Sequence, residues 1–80
     1  MTIKILYFGR LAETVGVRQA ELDLTGGDAL LETVRQQLIS SHPALDDPTI
    51  RIAVNQTLAN ENLTINDGDE LAFFPPVSGG

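Results

Sequence analysis

Residues 3–8 read IKILYF, and their pattern decides what kind of fold the rest must complete. Branched and aromatic side chains suit a pleated, half-buried surface, so the stretch is expected to be a strand. Successive strand side chains point opposite ways, which puts Ile3, Ile5 and Tyr7 on one face and Lys4, Leu6 and Phe8 on the other. Residues 70–74, ELAFF, repeat the arrangement, with Leu71 and Phe73 alternating with Glu70, Ala72 and Phe74. If the two strands are parallel neighbours, Phe8 and Phe74 meet at their C-terminal ends, on the face turned away from the core. Large apolar groups gathered there mark a docking surface. A slip of one residue in register would reverse the faces.

Working outward, residues 10–15 are expected to form a short helix closed by Gly16, whose missing Cβ suits a left-handed helix end. Residues 19–24, QAELDL, alternate as a second strand with Ala20, Leu22 and Leu24 inward. A TGG turn follows, and Asp28 is placed to cap the next helix, in which Leu30, Leu31, Val34 and Leu38 form one apolar stripe and Pro43 forbids continuation. Residues 40–49 are expected to be a loop, residues 50–54 (IRIAV) a third strand, and NDGD the turn into the last strand. This order predicts an α+β fold: one mixed sheet packed on a single main helix, two hairpins flanking the helix, and the first and last strands side by side and parallel. The expected organisation is a domain over residues 1–74 and an extended tail over residues 75–80.

With 80 residues there is room for one core, and 42% hydrophobic against 20% charged residues favours an ordinary folded unit over disorder. There is no cysteine, so neither disulfides nor thiol chemistry can come from its own side chains. A net charge of −6 argues against nucleic acid, whose phosphates select basic surfaces, and favours a basic protein partner. No apolar run has secretory or membrane-spanning character, so a cytoplasmic location is expected and no membrane partner.

Conventional active-site patterns are missing from the interior. His42 stands alone in a loop without a companion ligand. NDGDE (residues 66–70) lacks the length and distal glutamate of a calcium loop, and Gly26-Gly27 lacks the Lys-Ser/Thr of a phosphate loop. The serines, Ser40, Ser41 and Ser78, lie on no nucleophile elbow. Metal binding is therefore not expected.

What remains is the end of the chain, PPVSGG. Pro75 and Pro76 favour an extended spacer, and residues 75–80 reach roughly 20 Å at about 3.3 Å each. Val77 and Ser78 continue it, and Gly79 and Gly80 pass a constriction that any Cβ would block. The group delivered is the α-carboxylate, ionised near neutrality and a poor electrophile until activated. Acyl adenylation by an ATP-consuming partner is the usual remedy, and capture by a sulfur donor then yields a thiocarboxylate.

AVNQTL (residues 53–58), DGDELAFFPPVSGG (residues 67–80) and IKILYFGRLAETVG (residues 3–16) closely resemble the small subunits of molybdopterin synthase, a family of ubiquitin-like β-grasp sulfur carriers. The resemblance is weak through the helix and residues 40–48. It implies that an adenylating enzyme resembling ubiquitin activators forms an acyl adenylate on Gly80, and that a sulfurtransferase system converts it to a thiocarboxylate. The large subunit of a heterotetrameric synthase then receives the tail and passes sulfur to cyclic pyranopterin monophosphate, building the molybdopterin dithiolene. Gly80 would be the sulfur-bearing position, Gly79 its slim neighbour, and Phe8, Leu58 and Phe74 the contact with partners. On this basis the chain is the sulfur-donating part of an enzyme and not catalytic alone. It binds no cofactor itself, ATP being used by the adenylating partner. A thiamine-pathway sulfur carrier, a ubiquitin-like protein modifier and a non-covalent adaptor remain open as alternatives.

Overall fold

The computed structural model describes residues 1–27 and 29–76. In chain order it contains β1 (Thr2–Tyr7), α1 (Arg10–Val15), β2 (Gln19–Asp23), β3 (Ala29–Leu30), α2 (Leu31–Ser41), a 3-10 turn (Pro43–Leu45), β4 (Arg51–Val54), β5 (Thr57–Leu58), β6 (Thr64–Ile65) and β7 (Glu70–Phe74). The main sheet has the order β2-β1-β7-β4-β5, and β3 pairs with β6 in a separate ribbon. β1 and β7 run parallel, with Ile5 opposite Leu71 and Tyr7 opposite Phe73. The other pairings are antiparallel.

The expected faces are the observed ones. Ile3, Ile5, Tyr7, Leu71 and Phe73 are buried beneath α2, which supplies Leu31, Val34 and Leu38 at helical spacing. Full burial of each large side chain contributes about 1.5–3 kcal/mol, so this layer carries much of the fold's stability. α1 closes at Gly16 with φ 100°, its amide donating to the Ala12 carbonyl at 2.9 Å. The NDGD turn is organised by the carboxylate of Asp69, which accepts from the Asn66 amide at 2.7 Å and from Asn55 Nδ2 at 3.0 Å.

Three expectations are corrected at the start of α2 and beyond. Leu30 does not join the apolar stripe: it is extended (φ −80°, ψ 149°), pairs with Thr64 and is 47% exposed. The ribbon geometry turns its side chain outward and starts the helix at Leu31, two residues later than a cap at Asp28 implies. Asp28, the expected cap, lies outside the described residues, and the first-turn amides find acceptors on a distant segment. The Glu32 amide donates to Asn62 Oδ1 at 2.8 Å, and that of Leu31 to the Leu63 carbonyl at 2.7 Å. Residues 40–49 are not simply loop, because the 3-10 turn buries Leu45 in the core. Finally, β4 and β7 are sheet neighbours but not one hairpin, since β5 and β6 intervene. The β4–β5 connection is a two-residue turn with Asn55 and Gln56 at φ 49° and 71°. Such mirror-image turns match strand twist but usually use glycine, which hid this one.

Candidate docking face and tail root

The site begins with register. On the face of the sheet away from α2, Leu6 lies opposite Ala72, Ala72 opposite Ala53, and Ala53 opposite Leu58. A row of two alanines between two leucines makes a trough across four strands. One step toward the ends of β1 and β7, Phe8 and Phe74 stack with ring centroids 4.7 Å apart and planes 7° from parallel. Ladder geometry forces this: the Phe8 amide donates to the Phe73 carbonyl at 3.0 Å, which carries the parallel pairing past Tyr7. Leu6, Phe8, Ala53, Leu58, Ala72 and Phe74 line a groove of about 370 Å³, edged by Gln56 and Glu70. Phe8 is 43% and Leu58 60% exposed, so the apolar lining of this groove faces solvent as one patch.

Phe8, Leu58 and Phe74 are thus brought together, as expected for one docking surface. Leu6 and Ala72 belong to the same face by the alternation already visible in IKILYF and ELAFF. Ala53 was legible by the same rule but is small enough to pass unnoticed.

Pro75 follows directly on the stacked pair. Its ring rests on Gly9, where a Cβ would stand 3.0 Å from Pro75 Cγ and 3.6 Å from Cδ. On another side Pro75 and Pro76 share a surface hollow with Pro48, Thr49 and Arg51. The Asp47 carboxylate braces that loop by accepting from the Thr49 hydroxyl at 2.6 Å and the Thr49 amide at 2.9 Å. These hydrogen bonds, with a smaller contribution from the Arg10 charge, hold Asp47 below the usual carboxylate range. Val77, Ser78, Gly79 and Gly80 lie outside the described residues. His42 is accounted for structurally, since its ring meets that of Tyr7 edge-on at 6.4 Å. Among the described residues, no helix is long and apolar enough to cross a membrane.

One principal helix gripped by a mixed sheet, with the parallel pair β1 and β7 inside it, defines a ubiquitin-like β-grasp protein. Within that class, the chain belongs to the ThiS family, whose model matches residues 5–80. It is 41% identical to the molybdopterin synthase sulfur carrier subunit of Escherichia coli (strain K12), over 98% of this chain and 99% of that one. It is 37% identical to small archaeal modifier protein 1 of Haloferax volcanii, over 91% of this chain and 94% of the other. A crystal structure of that archaeal protein superposes with a TM-score of 0.84, covering 100% of both chains at 33% identity. The fold is also similar, with a TM-score of 0.68 and 22% identity over 100% of both chains, to one from the complex of subunits 1 and 2 of the molybdopterin-converting factor of Helicobacter pylori 26695.

Proposed function

We propose that the chain is a sulfur carrier that loads and delivers sulfur at the carboxyl of Gly80. The observation that carries this reading is the family match running through Gly80, together with the likeness to the bacterial sulfur carrier subunit over nearly its whole length. The Gly80 carboxylate attacks the α-phosphate of ATP on an adenylating partner of the ubiquitin-activator type, and pyrophosphate leaves. Hydrosulfide, or a donor that releases sulfur at that oxidation level, then adds to the acyl carbon and expels AMP, leaving a thiocarboxylate. A terminal glycine presents the least hindered acyl carbon for both steps. Delivery to cyclic pyranopterin monophosphate takes place on a large subunit, with the trough and the Phe8–Phe74 stack docked against it. Two deliveries supply the dithiolene sulfurs, and hydrolysis returns the carboxylate.

Incubation with the adenylating partner, ATP and a sulfur donor is expected to exchange one carboxylate oxygen of Gly80 for sulfur, read by intact-protein mass spectrometry. An unchanged mass rejects the carrier reading. The likeness to small archaeal modifier protein 1 favours a second reading, in which the same acyl adenylate is captured by a lysine amine. Isopeptide-linked adducts of higher mass, in place of the thiocarboxylate, would select it.

A further inference from the structure

Gly9 satisfies two separate requirements at once. Its backbone (φ 55°, ψ −138°) lies in territory that side chains strongly disfavour, and its bare Cα lies against the Pro75 ring. Positive φ alone would explain a glycine here, as it does at Gly16, Gly26 and Gly68. At those three positions, however, an added Cβ would meet nothing within 4 Å among the described residues. Gly9 alone of the four sits beneath another segment, and that segment begins the tail. The surroundings fix its place. The Phe8 amide is tied to the Phe73 carbonyl, the Phe8 ring to Phe74, and the Gly9 carbonyl accepts from the Ala12 amide of α1 at 3.2 Å.

We infer that Gly9 is a positioning residue: it is the seat of the Pro75 ring and sets the heading at which the chain leaves the sheet toward Gly80. This rests on the sulfur-carrier reading, because the heading matters only if the far end must reach an active site. The five residues after Pro75 reach at most about 16 Å, so turning Pro75 by about 10° moves the end of such an arm by about 3 Å. Misplacement of about 1 Å can cost up to about 100-fold in a reaction that depends on alignment. Gly9 acts through Pro75 and touches no reacting atom.

The experiment measures pyrophosphate release with the adenylating partner, separating kcat from KM. Gly9→Ala is expected to lower kcat by about tenfold or more while KM stays within about twofold, since the change falls on the heading of the tail and leaves the core of the fold unaltered. Pro75→Ala lowers kcat less, because Pro76 keeps the exit extended. The double variant Gly9→Ala/Pro75→Ala, in which the clashing ring is gone but the strain of a side chain at positive φ remains, is faster than Gly9→Ala without reaching the level of Pro75→Ala. A Gly9→Ala chain with wild-type kcat overturns the inference, as does a double variant as slow as Gly9→Ala, which would assign Gly9 to backbone conformation alone. Should Gly9→Ala fail to fold, Pro75→Ala decides by itself, and wild-type kinetics there overturn the inference. Nuclear Overhauser contacts between the Gly9 Hα and Pro75 ring protons read the seat directly in the free protein, and their absence also overturns it. No pyrophosphate release from the wild-type chain would instead remove the carrier reading, and the positioning role with it, while leaving the Gly9–Pro75 contact to be judged by those Overhauser contacts.

Discussion

Tyr7 is the single tyrosine of the chain, and its ring lies between Phe73, 5.8 Å away, and His42. Burial strips water from the phenolate more than from the phenol, so the folded state raises its pKa above the ordinary value near 10. A group whose pKa is higher folded than unfolded contributes stability that is intact below the unfolded value and lost as pH climbs through the folded one. The chain is therefore expected to hold its fold up to about pH 10 and to weaken above it. Phenolate absorbance should rise together with loss of circular dichroism. Ionisation at an ordinary tyrosine pH with the fold intact would contradict this. At the same scale, Asn62 shows what sequence leaves hidden. Its side chain caps a helix thirty positions earlier, a role assigned by proximity in space and by nothing nearby in the chain.

The long strands were legible because period-two alternation over five or six residues separates the faces. IKILYF and ELAFF separate the buried set from the outward set, and the parallel pairing of β1 with β7 then brings Phe8 to Phe74. β3, β5 and β6 have two residues each, too few for any period, and with them went Leu30's true place and the buried Ile65. Of the candidate docking face, Phe8 and Phe74 were readable by alternation, as were Leu6, Ala53 and Ala72, and Leu58 by resemblance alone. The face also carries a prediction. Phe74→Asp puts a charge into the stacked pair, forfeiting about 0.5–1.5 kcal/mol of ring–ring interaction beyond its area. It should weaken large-subunit binding, by titration calorimetry, while circular dichroism stays native because Phe74 lies outside the core. Unaltered affinity would remove the face from the interface.

For the molecule as a whole, eleven acidic groups against five basic ones give the net charge of −6. At physiological ionic strength charges are screened beyond about 8 Å, so long-range attraction to a basic partner should fade as salt is added. Stopped-flow association with the large subunit is expected to slow with added salt while dissociation changes little. A salt-independent rate would mean the net charge plays no part in the encounter. The place of β7 has a different consequence. Every other strand of the main sheet is synthesised before it, yet β7 lies at the centre and joins β1 to β4. A nascent chain still short of residue 70 holds two half-sheets with open inner edges and no strand to unite them. The sheet can close only once β7 has been made and is free to pair, and a product cut short before β7 would be a substrate for chaperones and proteases rather than a smaller working version of the protein.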